Sequence, residues 1–261
     1  MSTQQQRKKS NTDLTGRKGR TMSKSIISMA RKKAIALILA MTWAAIQAES
    51  WFITLSEGNY KLRPTKDVKY LIFNLPAIIT CPFSTAMCRK KCYAKKSENG
   101  SRPSVLPSRK KNLRISKQKN FVNRMIYTII GHCNRPSYQA AKTIVIRIHE
   151  SGDFYSREYA KKWLQIARYF EGNDKIVFMC YTKSVEYFEG LQIPKNMVLR
   201  YSLWADTDPA QYAKAVKIGL PVYTAVEKFT TEKAVNRCLC NDCSHCQKCW
   251  HDIDRLICEI H

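Results

Sequence analysis

An α/β fold of parallel βα units, closed as a partial (β/α) barrel or laid out as an open doubly wound sheet, is what this sequence predicts, on three observations. Short β-branched and aromatic runs alternate with amphipathic helical stretches from residue 69 to residue 224. Every such run ends in polar residues. Hydrophobic residues make up 44% and charged residues 25% of the 261, a globular balance that excludes wholesale disorder, collagen and a polytopic membrane protein.

The strands read as 69–74 (KYLIFN), 143–148 (TIVIRI), 175–180 (KIVFMC), 197–202 (MVLRYS) and 220–224 (LPVYT). Helical patterns occupy 107–131, 156–170 with the stripe Tyr159, Trp163, Ile166 and Phe170, a short stretch 184–189, and 209–218. Three regions follow: a basic extension with an apolar helix over 1–50, an α/β core over 51–236, and a cysteine-rich metal-binding segment over 237–261. In the first, Arg31, Lys32 and Lys33 precede an apolar stretch too short to span a bilayer comfortably, so no stable membrane insertion is expected. A docked helix, an upstream start and a cleaved leader stay open as readings of it.

Charge is the unusual quantity. Lys and Arg number 45 against 20 Asp and Glu, a net charge of +25. The first 50 residues carry +8 of it, so the folded body is basic in its own right. Its densest run, 86–120, sets twelve Lys and Arg against one acid, Glu98. Such a surplus points to a polyanion, and nucleic acid is the expected partner. The nine glycines form neither a dinucleotide fingerprint nor a phosphate loop, and no nucleophile elbow or His-Glu-x-x-His is present.

Chemistry is expected at the carboxyl ends of the strands, where βα loops gather polar groups. There stand Cys81, then His149 to Phe154, then Tyr181 to Ser184, then Trp204 to Asp208. Alternation puts Arg147 and His149 on one face, and Arg200 with Ser202 on one face. An Arg within an apolar strand needs an anion or a carboxylate, so Arg147 and Arg200 either line an anion pocket or pair with Asp153 and Asp206. His149, Asp153 and Lys183 are the candidates for proton transfer, and Arg147, Arg200 and Asp206 those for substrate or anion binding.

Eleven cysteines carry the sharpest signal. Cys81, Cys88 and Cys92 lie in the loop after the first strand; Cys238, Cys240, Cys243, Cys246 and Cys249 crowd the C-terminal segment. Neighbours this close make strained disulfides but converge readily on a metal ion. Three thiolates leave an iron–sulfur cluster one open iron, and four suit zinc or iron–sulfur equally. The expected ligands are Cys81, Cys88 and Cys92 at one site, and Cys240, Cys243, Cys246 and Cys249 at the other. Reduced thiols imply a cytoplasmic location.

The stretch 71–77 (LIFNLPA), Thr80-Cys81-Pro82, Cys88, Cys92-Tyr93-Ala94, the run 147–156 (RIHESGDFYS), Tyr181-Thr182-Lys183-Ser184 and the cysteine-rich end together resemble the phage gene product 88 family. That resemblance implies a phage protein acting inside a bacterial host, and names no reaction. A cysteine triad after the first strand of a βα barrel, with an aromatic beside the last cysteine, is also similar to radical S-adenosylmethionine enzymes, which implies that cofactor. The spacings here are x6 and x3 where those enzymes have x3 and x2, and Ser151-Gly152-Asp153 stands where their Gly-Gly-Glu-like strand end is expected. Cys238-x-Cys240-x2-Cys243 is similar to the zinc site of tRNA-guanine transglycosylases, a likeness that makes Asp153 or Asp206 a nucleophile and the zinc structural. The function expected is a metal enzyme that modifies nucleic acid; the alternative is a zinc-stabilised protein that only binds it.

Overall fold

The computed structural model describes residues 53–100, 102–226, 238, 243–251 and, by backbone, 255–259, all within one compact unit. The N-terminal helix expected in 1–50 lies outside the described residues. Seven strands form one sheet: β1 (Leu55–Ser56), β2 (Val68–Phe73), β3 (Thr143–Ile148), β4 (Ile176–Thr182), β5 (Met197–Leu203), β6 (Val222–Val226) and β7 (Arg255–Glu259). Their order across the sheet is their order in the chain. β1 runs antiparallel to β2, and every later neighbour is parallel. A doubly wound sheet must reverse its strand order at a switch point, and this one never does, so that alternative falls away.

The described helices are α1 (Ala86–Lys90), α2 (Tyr93–Glu98), α3 (Val105–Ser116), α4 (Phe121–Cys133), α5 (Pro136–Gln139), α6 (Arg157–Tyr169), α7 (Pro209–Ile218) and α8 (Cys243–Cys246), with 3-10 turns at Val185–Phe188 and Lys248–Trp250. The single helix read over 107–131 is two. Residues 117–120 (KQKN) offer no apolar residue to continue the stripe, and the Lys162 ammonium clamps the break by donating to the Ser116 and Gln118 carbonyls, both at 2.9 Å.

Parallel strands are covered on both faces. On one face Phe73, Ile146, Phe178 and Leu199 meet α4 and α6, where Met125, Ile129, Trp163 and Ile166 are buried. Ser156 starts α6 by accepting the Tyr159 amide at 3.2 Å, and the stripe then places Trp163 on the sheet. Truncating Trp163 to Ala would cost about 3–5 kcal/mol. On the opposite face Tyr70, Ile72, Val145 and Met179 meet Trp250, which packs edge-on against Tyr70 with ring centroids 5.8 Å apart. The C-terminal cysteine segment therefore covers the second face, and β7 beyond it extends the sheet.

Candidate functional site

The loops after β2 and β3 are knitted together before any reactive group is placed. Asn74, the residue after β2, accepts the amides of Glu150 and Ser151 on its side-chain oxygen, both at 2.9 Å. Leu75 donates its amide to the Ser151 carbonyl at 3.0 Å, and the Ser151 hydroxyl returns a bond to the Leu75 carbonyl at 2.8 Å. Asp153 donates its amide to the Thr80 carbonyl at 3.2 Å. Between them Gly152 sits at φ +87°, and a Cβ there would stand 2.6 Å from the Thr80 hydroxyl oxygen and 2.7 Å from the Leu75 Cβ. Only glycine suits both the conformation and the approach.

The cysteine loop is held from further sides. Thr85 caps α1 by accepting the Cys88 amide at 3.2 Å, and Asp206 reaches across from the end of β5 to accept the Met87 amide at 2.7 Å. Tyr93 donates its hydroxyl to the Glu150 carbonyl at 2.6 Å. Glu98, the lone acid of the basic run, is buried; it accepts the Ala77 amide at 2.7 Å and pairs with the Arg109 guanidinium at 3.1 Å.

Within this frame Cys81, Cys88, Asp153 and Lys183 act on one another. The Asp153 carboxylate accepts from the Thr182 hydroxyl at 2.7 Å, the Lys183 amide at 2.8 Å and its neighbour's Phe154 amide at 2.7 Å. Burial still pushes its pKa above the usual carboxylate value, the three donors opposing. The Lys183 ammonium donates to the Ser202 hydroxyl at 2.9 Å and lies 5.0 Å from the centre of the Trp204 ring. Burial pushes its pKa down, with Cys88 and Asp153 pulling the other way. The Cys81 thiol is pushed up to about 12 by burial and by Asp153, while Cys88 and Cys92 add to the effect. Cys88 is pushed up by burial as well, against the pull of Lys183. Thiols, carboxyl and amine all lean toward their neutral forms.

The remaining expected residues go elsewhere. His149 does not share a face with Arg147: its φ of +63° breaks the alternation just past β3. Its ring lies on the helix side, edge-on to Phe154 with centroids 4.8 Å apart, and its Nε2 bonds the Tyr159 hydroxyl at 2.8 Å. Burial and Arg147 push its pKa down to about 3. It is a neutral core histidine, not part of the thiol cluster. Arg200, fully buried, donates to the carbonyls of Cys249 at 3.2 Å, Lys248 at 3.3 Å and His251 at 2.7 Å, not to Asp206, and so anchors the C-terminal segment. Asp206 caps α1 as described. Arg147 lies 4.5 Å from the centre of the Tyr181 ring, and its Nε is buried with no hydrogen-bond partner.

None of the nine described cysteines forms a disulfide. Cys243, pushed up to about 12 by burial, has Cys249, Cys238 and Cys246 as electrostatic neighbours. Cys240 lies outside the described residues. Among the described residues, no three His, Cys, Asp or Glu side chains stand close enough together to hold a metal ion as they are placed. No described helix is long and apolar enough to cross a membrane.

Sequence reasoning missed Asn74, Tyr93 and the Glu98–Arg109 pair. An Asn directly after a buried strand, and one acid alone among twelve bases, were the available signals. It also missed a cavity of about 430 Å³ beside the cluster, between the ends of β5 and β6, whose walls include Met87, Leu203, Trp204, Tyr212 and Thr224.

Residues 53–252 match the model of a family described as "Gene product 88". Over 143 residues the chain is 30% identical to the "Gene 88 protein" of Mycobacterium phage L5, covering 52% of this chain and 56% of that protein. Over 142 residues it is 30% identical to the "Gene 88 protein" of Mycobacterium phage D29, covering 52% and 55%. The matched stretch thus spans about half the length of these curated relatives. No solved structure matches.

Proposed function

This chain belongs to the gene product 88 family, and from that premise we propose that it is an iron–sulfur enzyme that modifies nucleic acid inside the host cell. The observation that carries the reading is the gathering of Cys81 and Cys88, with Cys92 acting on both, beside Asp153 and Lys183 at the carboxyl end of consecutively ordered parallel strands. Strand order without reversal is what a partial (β/α) barrel requires, and active sites of such barrels lie at that end.

The donor chemistry fits a cationic cluster. Three half-buried cysteines stand on one short stretch, and burial raises the pKa of those at 81 and 88, so that a cation drawing the thiols together would favour their thiolates. Cys81, Cys88 and Cys92 would hold the cluster, which when bound supplies one-electron chemistry and one iron open to a substrate atom. Residues of the chain do the rest. Lys183, lowered by burial, and Asp153, raised by it, are poised to exchange a proton with a bound group. Arg147, backed by Tyr181, offers its guanidinium to an anionic group. The reading stops short of S-adenosylmethionine, because the cysteine spacing departs from that of the enzymes that use it.

Nucleic acid is supported by the charge and by its placement. Arg89, Lys90, Lys91, Lys95 and Lys96 are exposed on or next to α1 and α2, the segments at Cys88 and Cys92, and Lys110 is exposed on α3. Anaerobic purification tests the metal half: a brown protein with iron and acid-labile sulfide is expected, and Cys81→Ser, Cys88→Ser and Cys92→Ser should each lose the colour while keeping the native circular dichroism spectrum. A colourless protein that binds zinc, or no metal, overturns it. For the nucleic-acid half, affinity for a single-stranded oligonucleotide should fall steeply with salt; no binding at low salt overturns that half.

A further inference from the structure

We propose that the cavity beside the thiol cluster is a pocket for a single unstacked nucleobase. Its volume of about 430 Å³ falls in the range of small-ligand sites, roughly 300–1,000 Å³. None of the described residues that line it is charged, which favours an uncharged ligand over a phosphate or a free acid. Trp204 and Tyr212 provide flat aromatic surface, with Met87, Leu203 and Pro209 filling the wall between. That lining suits a planar, uncharged ring.

One polar feature says what kind of ring. Thr224 lines the cavity, and its hydroxyl oxygen, shut off from the cavity as placed, has no hydrogen-bond partner; a turn about its Cα–Cβ bond would present it to a ligand. A buried hydroxyl without a partner costs free energy that a ligand's edge atom recovers. A heteroaromatic ring with donors and acceptors on its edge satisfies it; a hydrocarbon ring does not.

The surroundings say where the ring comes from and where it leads. Met87 belongs to α1, which exposes Arg89 and Lys90 on its last turn, so the strand entering the pocket would have cations for its phosphates at the rim. On the inner side, the Trp204 ring lies 5.0 Å from the Lys183 ammonium, and its indole N–H and that ammonium both donate to the Ser202 hydroxyl. A base against Trp204 is thereby next to Lys183, the group that acts on Cys88 and Asp153. Enzymes that alter a base take it out of the stack and hold it between aromatic and apolar side chains in this manner. The inference deepens the proposed function and rests on its nucleic-acid half.

Tryptophan fluorescence of the full chain, titrated with adenosine, guanosine, cytidine and uridine in turn, tests it. At least one nucleoside should quench saturably. Thr224→Val, which keeps the shape and removes the hydroxyl, should weaken that nucleoside by about fivefold to tenfold. Ala205→Trp, at the exposed rim of the cavity, should abolish it. Both variants should keep iron and sulfide content and the salt-dependent binding of an oligonucleotide. Absence of quenching by all four nucleosides, or undiminished binding in both variants, overturns the pocket. A colourless protein that still binds a nucleoside keeps the pocket and removes only the cluster.

Discussion

Two regions of this chain are rich in thiols, and the fold uses them differently. Cys81, Cys88 and Cys92 sit past the end of β2 among polar groups, with a carboxyl, an amine and a cavity at hand. Cys243 and Cys249 instead pack on the sheet face with Trp250, their segment tied down by the fully buried Arg200. The first set is placed past the carboxyl ends of the strands, at the proposed site; the second packs against the core. Spacing alone gives both sets the same reading, and position along the strand axis is what tells them apart.

Breaking the cover should have the largest effect. Arg200→Met leaves carbonyls of Lys248, Cys249 and His251 without their donor in a buried place, which costs about 3–5 kcal/mol. Denaturant unfolding measures it, and a loss under 1 kcal/mol would mean that the segment contributes little to the core. Gly152→Ala addresses the first region. The left-handed φ and the contacts with Thr80 and Leu75 make it cost about 2–3 kcal/mol, and since it pries the cysteine loop off β3 it should also reduce cluster loading. Normal stability with normal loading would separate the loop from β3.

Acid should act on the wall behind the first region. His149 and His132 have their pKa values pushed down by burial to about 3 and about 4, from 6.5. Unfolded chains take up protons on these histidines below pH 6.5 while the folded chain does not, so stability is full above that pH. It is lost as pH falls toward the folded values, at up to about 1.4 kcal/mol per pH unit for each histidine. His149→Asn cannot titrate and tolerates the left-handed backbone, so melts between pH 6.5 and 4 should show a shallower slope than the parent. An unchanged slope would place the acid sensitivity elsewhere.

The same contrast explains how much could be read from sequence. Strands β2 to β6 and helices α6 and α7 were legible because period and polar ends agree, and the gathering of Cys81, Asp153 and Lys183 followed from strand ends alone. β1, two residues long, carries no pattern, and β7 falls in a stretch already read as metal-binding. His149 escaped because parity fails at a left-handed residue. The use of Arg200 was hidden because its carbonyl partners lie 48 to 51 residues away in sequence and are main chain, which no side-chain pattern reports. Thr224 looked like one more strand residue until a cavity opened beside it.

The smallest effect is expected at the surface of the first region, and it bears most directly on why that region is open. Lys90, Lys95 and Lys96 are exposed, and the contact of Lys95 with Glu98, at 3.9 Å, is too long and too solvated to matter for stability. Replacing any one by Gln should therefore leave the melting temperature unchanged. If these side chains track a phosphate backbone, each loss removes one released counterion and lowers the slope of log affinity against log salt by about 0.7 for single-stranded nucleic acid. The effect should be the same for every oligonucleotide sequence, because phosphate contacts position and do not specify. The same change at Lys175, exposed at the start of β4 and so at the opposite end of the strands from the cysteine loop, should alter neither slope nor affinity. Equal slopes for Lys95→Gln and Lys175→Gln would mean that the charge of the whole molecule attracts the polyanion, and that the thiol loop has no special claim on it.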